Sequence, residues 1–208
     1  MKIAVLFFGR SKHFKRAYTS LIASIGNGHT IDVFYSADNE PQEAIEEFIE
    51  TCKPKALCND KIIETLDFTK YPNTNAKIAH INYHTLPRHF INKKRVFTLM
   101  EEYMHSHDIT YTMVISSRLD IEIDTLPMDT PAENTIYIPE SYDYHGINDR
   151  FAIGNVETMK IYMMIYDTAT FLLESKLSIP HPESLALANL KYHTICIKRF
   201  KLSTKLLR

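Results

Sequence analysis

Three side chains that could bind phosphate and metal follow one apolar segment of this sequence. Residues 111–115 read YTMVI, and the next seven read SSRLDIE, which places Arg118, Asp120 and Glu122 at every second position. Carboxylates two residues apart in a turn can reach one hard cation, because such cations prefer oxygen ligands. The planar guanidinium of Arg118 matches two phosphate oxygens at once. The alternative for the same pattern is an edge strand whose terminal charges pair with each other in solvent.

These charges need elements that position them, and apolar patterning predicts those elements. The segment 111–115 is predicted to be a buried strand, after which the sequence becomes polar at Ser116 and Ser117. Before it, predicted strands alternate with predicted helices, and a long helix ends near His107. Such alternation predicts a parallel sheet with covering helices. The predicted strands are 2–8, 31–36, 55–58, 111–115, 135–138, 150–153 and 194–200, and the main predicted helices are 11–25, 41–52, 87–107, 156–166, 169–177 and 184–192.

The bulk composition narrows the class of protein. The chain has 208 residues, 45% of them hydrophobic, and a formal net charge of −1, which gives no overall attraction to nucleic acid. No segment approaches the length of about 18 apolar residues that a membrane span needs. Three cysteines without a CxxC pair predict reduced thiols and a cytoplasmic location. The basic last residues predict a solvated tail, or a linker if the chain is the N-terminal domain of a longer protein.

Further polar loops follow the other predicted strands. Gly9-Arg10-Ser11 follows the first, and Ser36-Ala37-Asp38 follows the second. In a parallel sheet these loops share one edge with the Asp120 segment, and ligands of open α/β sheets bind at such an edge. Asp38 is a candidate helix cap or a candidate ribose ligand. In the basic group Arg88, Lys93, Lys94 and Arg95, most side chains are expected in solvent, with one reaching a diphosphate.

The order of these segments, together with the block YHGINDRFAIGN at residues 144–155, resembles the compact GT-A glycosyltransferases. Small enzymes of this kind occur in bacterial polysaccharide clusters and in large DNA viruses of algae, where they build capsid glycans. The resemblance covers nearly the whole chain. It implies a GT-A-like, Rossmann-like α/β fold with a mostly parallel central sheet flanked by helices. It also implies one domain over 1–208, with a nucleotide-sugar half at 1–122 and an acceptor half at 123–208.

The resemblance implies a role for each candidate residue. Asp120, with Glu122 as a second candidate ligand, would hold Mn²⁺ or Mg²⁺ on the diphosphate of a nucleotide-sugar, most typically a UDP-sugar. Asp149 would be the general base that deprotonates a hydroxyl of a glycan or glycoprotein acceptor, with inversion at the anomeric carbon. Asn148 and Arg150 would orient the acceptor or the base. The residues implied in donor binding are Gly9, Arg10, Asp38, Arg95, Arg118 and His145. The location would be the host cytoplasm if the chain is viral.

Several alternatives stay open at this stage. The donor sugar could be glucose, galactose or a deoxyhexose such as rhamnose. A nucleotidyltransferase is a rival, although the chain lacks a glycine- and lysine-rich phosphate loop, and a non-catalytic carbohydrate- or protein-binding relative is a second rival. His80, His84 and His89 have a spacing that a zinc site could use, but solvated or core histidines are the simpler interpretation. Tyr142 and Tyr144 could stack on a sugar or pack in the protein.

Overall fold

The computed structural model describes residues 1–63, 65–71, 83–202 and 204–207. The strands in this part of the chain are β1 Lys2–Phe8, β2 Thr30–Ser36, β3 Ala56–Cys58, β4 Met113–Arg118, β5 Ile121–Ile123, β6 Thr135–Pro139, β7 Phe151–Gly154, β8 Cys196–Phe200 and β9 Thr204–Leu206. The helices are α1 Phe14–Ile25, α2 Gln42–Cys52, α3 Leu86–His107, α4 Val156–Met163, α5 Ile165–Glu174 and α6 Pro182–Tyr192, with a short 3₁₀ helix at Phe68–Lys70.

Among the described residues, a seven-stranded sheet in the order β3-β2-β1-β4-β7-β6-β8 forms the centre of the fold. β7 pairs antiparallel with both of its neighbours, whereas the other pairings in this sheet are parallel. A second, small sheet joins β5 to β9. The predicted α/β class with a mostly parallel central sheet flanked by helices is therefore confirmed.

The two faces of the sheet bury different side chains because side chains alternate along a strand. In β1, Ile3, Val5 and Phe7 pack on the side covered by α1 and α2. Leu6 and Phe8 pack on the opposite side, with residues of α3, α4, α5 and α6. A strand buried on both faces reads as a continuous apolar run, which explains why the pattern at residues 2–8 was predictable.

The register of the parallel strands brings their carboxyl ends to one edge of the sheet. Phe8, the last residue of β1, lies opposite both Ser36 of β2 and Arg118 of β4. The antiparallel β7 begins at the same edge, where the N–H of Arg118 donates to the carbonyl of Arg150 at 3.0 Å. The prediction that these polar loops share one edge is confirmed, and the loop before β7 joins them.

Two local predictions around this edge were wrong. The strand predicted to end at Ile115 continues to Arg118: Ser116 and Ser117 lie in β4 and are buried, because β4 sits in the middle of the sheet rather than at its edge. Ser11 does not cap α1, which begins at Phe14. Its N–H and hydroxyl instead donate to the carboxylate of Glu40, at 3.1 and 2.7 Å.

Two more predictions were wrong in the second half. The helix predicted over 156–166 breaks at Met164, so that α4 and α5 are separate helices. The basic end of the chain is not wholly a solvated tail, because β9 pairs with β5 and Leu207 is buried. The N–H of Leu207 donates to the carbonyl of Asp120 at 2.8 Å, so this segment helps to fix the backbone of a candidate metal ligand.

Part of the predicted structure lies outside the described residues. The sequence also predicts a moderately helical segment at 76–85 and a short extended piece at 62–66. His80, most of the first segment and Glu64 of the second lie outside the described residues. Within the described chain, none of the helices combines the length and apolarity needed to cross a membrane.

Candidate functional site

The first strand ends in a backbone conformation that suits close approach of a ligand. Gly9 has φ +96°, and a Cβ built at this position meets no atom within 4 Å. Its N–H donates to the carbonyl of Ser36, and its own carbonyl accepts from the hydroxyl of Tyr35 at 2.8 Å. Gly9 is thus fixed against β2, while the side chain of Arg10 is exposed. The donor-binding roles of Gly9 and Arg10 stay predictions.

Asp38 links the end of β2 to the start of α3. Its carboxylate accepts from the N–H of Ile62 at 2.7 Å and from the guanidinium of Arg88. It is not a helix cap, since Pro41 holds the N-cap position of α2. A cavity of about 300 Å³ lies beside this contact and is lined by residues 65–69, Tyr83, His84 and Arg88. The role of Asp38 as a ribose ligand stays a prediction.

The two candidate metal ligands each bind an arginine. Nε of Arg118 donates to Asp120 at 2.9 Å, and Nη2 of Arg118 also contacts the Asp120 carboxylate. Glu122 lies on β5 rather than in a turn, and its carboxylate accepts from Arg16 of α1 at 2.6 Å. Asp120 fits a divalent cation in chemical type and is partly exposed at the sheet edge. Glu122 is engaged elsewhere, so its predicted ligation has less support.

The loop that carries Asp149 is held by hydrogen bonds of Asn148. Oδ1 of Asn148 accepts from the N–H of Arg150 at 2.8 Å and of Phe151 at 3.3 Å, while Nδ2 donates to the carbonyl of Ser141 at 2.8 Å. Asn148 itself is 2% exposed. The structure therefore gives Asn148 a positioning role for the backbone on both sides of Asp149.

Gly146 allows this loop to pack closely against the start of α6. A Cβ at Gly146 would lie 1.9 Å from the carbonyl oxygen of Glu183, and the φ of Gly146 lies outside the left-handed region. Gly146→Ala should therefore lower the free energy of unfolding by about 1–3 kcal/mol through overpacking, measured by urea denaturation. Gly154→Ala is the matched control, because the nearest atom there is the flexible side chain of Met159, at 3.1 Å. Equal effects of the two changes would contradict the steric explanation.

Asp149 is buried beside His89. Its side chain is almost fully buried, and its Oδ2 lies 2.9 Å from Nε2 of His89, without the alignment of a good hydrogen bond. Burial raises the pKa of Asp149, but His89, Lys93 and Arg118 together outweigh that effect and hold the pKa below its usual value. Burial lowers the pKa of His89 more than Asp149 raises it, so we treat His89 as neutral at pH 7. Arg118, together with Lys93 below about pH 7, then supplies the positive charge that keeps Asp149 ionised.

Lys93 lies inside the protein and is therefore not one of the solvated bases of its group. It is 0% exposed, and its Nζ lies 3.5 Å from the centre of the Tyr162 ring. Burial lowers its pKa to about 7, although Asp149 and Glu183 act in the opposite direction. A signal for this burial was present, because Phe90, Lys93 and Phe97 have the three-and-four spacing of one helix face.

A second buried acid, Glu183, also acts on Lys93 electrostatically. Glu183, in the first turn of α6, is 5% exposed, and its Oε2 lies 3.0 Å from Nδ1 of His181. Sequence analysis missed Glu183, which looks like an ordinary acidic residue of a first helical turn. Several buried polar atoms here have no hydrogen-bond partner among the described residues: Nε2 of His89, Nζ of Lys93, Oγ of Ser116, Oγ of Ser141, Nε and Nη1 of Arg150, Nδ1 of His181 and Oε2 of Glu183. Such a concentration is unusual for a purely structural interior.

The remaining candidates make contacts of their own. The guanidinium carbon of Arg150 lies 4.5 Å from the centre of the Tyr142 ring, and Tyr142 stacks near Tyr144. His145 is exposed and adopts φ +68°. Arg95 donates to the carbonyl of Asp60 at 2.7 Å. Roles for these residues in binding a donor or an acceptor stay predictions.

The fold and the site together define an α/β protein with a polar, charged site at the carboxyl edge of its central sheet. Residues 84–203 match the model of a domain of unknown function, DUF7796. The match spans more than half of the chain, so the chain belongs to this family. Lys93, Asp149 and Glu183 lie inside the matched region, whereas Gly9 and Asp38 precede it. A comparison with curated proteins gave no match.

Proposed function

We propose that this protein is a glycosyltransferase of the GT-A type, which moves a sugar from a nucleotide-sugar, most typically a UDP-sugar, to a hydroxyl of a glycan. The observation that carries the proposal is the buried Asp149 at the same sheet edge as Gly9, Asp38 and the Arg118–Asp120 pair. Nearby charges also hold the pKa of Asp149 below its usual value. Such a transfer requires a carboxylate that accepts the acceptor proton and a cationic side chain that stabilises the diphosphate leaving group.

The proposed reaction is a single displacement. The acceptor oxygen forms a bond to the anomeric carbon while the bond from that carbon to the diphosphate oxygen breaks. The acceptor proton passes to the carboxylate of Asp149, and the nucleoside diphosphate leaves with the electron pair. Direct attack by the acceptor inverts the configuration at the anomeric carbon. Asn148 fixes the backbone around Asp149, and Arg118 lies where its charge can stabilise the leaving phosphates.

Asp120 is the residue that would hold a divalent cation, Mn²⁺ or Mg²⁺, with Glu122 as a less supported second ligand. Such a cation neutralises negative charge on a leaving diphosphate. The carboxylate of Asp120 now binds Arg118, so we expect the arginine to turn toward the phosphates when the nucleotide binds. The cation that Asp120 would hold and the guanidinium of Arg118 would then both offset the charge of the diphosphate.

Calorimetric titration of UDP with and without Mn²⁺ tests the proposal. Wild-type protein should bind UDP more tightly by a factor of about 10 or more when Mn²⁺ is present, because Asp120 would hold the cation and its charge would offset that of the diphosphate. Asp120→Asn should remove that metal-dependent gain. Asp124→Asn is the matched control, since Asp124 is an exposed acid in the same segment.

The screen that follows measures transfer from UDP-glucose, UDP-galactose and dTDP-rhamnose to glycan acceptors. Equal affinity for UDP with and without Mn²⁺ would reject the role of Asp120. Absence of binding for UDP, GDP and dTDP in both conditions would reject a nucleotide-sugar donor altogether.

One observation favours a second candidate, a carbohydrate-binding relative without transferase activity. The pairing of Arg118 with Asp120, and of Arg16 with Glu122, leaves neither carboxylate free of an arginine. A protein of this kind would bind a nucleotide or a glycan without turnover. Binding of UDP that is independent of metal, together with no transfer from any of the three donors, would favour it.

A further inference from the structure

Lys93 combines features that are costly for a protein unless they have a role. Its ammonium group is fully buried and has no hydrogen-bond acceptor among the described residues. It lies 3.5 Å from the centre of the Tyr162 ring and 5.8 Å from that of Phe8. Aromatic faces attract a cation, but they replace only part of the hydration that a buried ammonium loses. A buried lysine therefore needs nearby negative charge.

That negative charge comes from two separate parts of the chain. Asp149, in the loop before β7, and Glu183, at the start of α6, both favour the charged form of Lys93. Each of these acids also has a histidine at ion-pair distance, His89 at 2.9 Å and His181 at 3.0 Å. The groups form an alternating series of base and acid, with Lys93 at its centre. Arg118 adds a further cation that acts on Asp149 from β4.

We propose that Lys93 is a positioning residue for Asp149: its buried charge, shared between Asp149 and Glu183, keeps Asp149 ionised and ties the loop of Asp149 to α6. This inference rests on the proposed function for its catalytic meaning. Its electrostatic content can be tested without any substrate.

The physical reason lies in the balance between burial and nearby charge. Burial favours the neutral form of Asp149, and the largest opposing contributions come from His89, Lys93 and Arg118. His89 supplies little positive charge at pH 7, because burial lowers its own pKa. Arg118 shares its charge with Asp120. Removal of the Lys93 charge should therefore let burial dominate, so that Asp149 takes up a proton at a higher pH.

Tyr162 cannot substitute for the lysine. Burial raises the pKa of its phenol well above the ordinary value, and Asp149 and Glu183 add to that shift, so the ring stays neutral. Its hydroxyl instead donates to the carbonyl of Asn148 at 3.4 Å. The same tyrosine thus supports both the cation and the loop next to Asp149.

The experiment follows the side-chain carboxyl carbon of Asp149 by NMR in protein labelled at aspartate. Asp149→Asn identifies the signal. In wild type the Asp149 signal should keep its ionised position down to about pH 4, whereas in Lys93→Met its titration midpoint should rise by about one pH unit or more. Lys94→Met is the matched control, because Lys94 is the next residue on α3 but pairs with Asp167 instead. It should leave the Asp149 titration unchanged.

A second variant protects the test against loss of folding. Lys93→Met with Glu183→Gln removes one charge of each sign from the buried group, and it should still raise the titration midpoint of Asp149. An unchanged Asp149 signal in both Lys93 variants would overturn the inference, as would an equal shift in Lys94→Met.

Kinetics then separate a positioning role from a general loss of structure. Lys93→Met should lower kcat for transfer by a factor of about 10 or more, leave KM for the donor within about twofold, and move the acidic limb of the pH profile upward. A variant that is merely less stable would not move that limb. Absence of transfer in wild type would reject the proposed function, while the NMR titration would still decide whether Lys93 controls Asp149.

Discussion

Asp149→Asn is expected to lower the rate of sugar transfer by a factor of about 100 or more, because asparagine keeps the shape of the side chain but cannot accept the acceptor proton. The affinity for UDP should stay within about twofold of wild type, since the diphosphate groups are assigned to Arg118 and Asp120. Single-turnover transfer and calorimetric binding measure the two effects separately.

The expected loss lies toward the lower end of what a general base contributes. Nearby charges hold the pKa of Asp149 below its usual value despite burial, so the carboxylate is always in the correct protonation state at pH 7. The same low pKa makes it a weak base, and general-base efficiency is highest when the pKa lies near the working pH. Its contribution is then largely to orient the acceptor hydroxyl and to take up the proton late in the reaction.

Asp167→Asn is a suitable control for this comparison. Asp167 pairs with Lys94 at the surface between α5 and α3, whereas Asp149 is buried. It should change neither transfer nor binding. A wild-type transfer rate in Asp149→Asn would show that Asp149 is not the base. A loss of UDP affinity in Asp149→Asn would instead place Asp149 in the donor site.

The sheet was predictable because a strand that is buried on both faces appears in the sequence as a continuous apolar run. Residues 2–8 are continuously apolar, and Lys2–Phe8 is the observed strand β1. The pairing of β5 with β9 was not predictable, because each strand has three residues and the partners are far apart in sequence. Without that pairing, Asp120 and Glu122 look like neighbours in one turn, whereas in the structure they bind Arg118 and Arg16.

The buried charges were missed for a related reason. A lysine next to Lys94 and Arg95 looks like part of a solvated basic group, and only the helix periodicity reveals that Lys93 points inward. Glu183 has the position of a common first-turn acid. Their proximity depends on how α6 packs against α4 and α5, and long-range packing leaves no local pattern. Periodicity identifies an inward-facing charge, and tertiary structure identifies its partners.

The stability of the protein should rise with pH just above neutrality because of Lys93. Burial lowers the pKa of Lys93 to about 7 in the folded state, from an ordinary value of 10.5. Between these pH values the unfolded chain binds more protons than the folded chain, so the free energy of unfolding increases as pH rises. The slope approaches about 1.4 kcal/mol per pH unit, which gives a gain of about 1.5 kcal/mol from pH 7 to pH 8.5.

Other groups set the upper limit of this pH window. Burial raises the pKa of Cys52 to about 12, so the folded state retains a proton that the unfolded state loses near pH 9. This effect of Cys52 lowers the free energy of unfolding as pH rises, and most of it falls above pH 8.5. The low pKa of Asp149 acts only in acid, where stability is lost as pH falls.

Urea denaturation of wild type, Lys93→Met and Lys94→Met at both pH values isolates the lysine. Wild type and Lys94→Met should both show the gain, whereas Lys93→Met should lose most of it, because groups common to all three proteins cancel in the comparison. The double variant Lys93→Met with Glu183→Gln should also lose the gain in stability between pH 7 and pH 8.5. A gain of equal size in Lys93→Met would mean that Lys93 keeps its proton throughout. In that case Asp149 and Glu183 stabilise the charge of Lys93 by more than burial destabilises it. Lys93 would then link the Asp149 loop to α6 as a permanent ion pair.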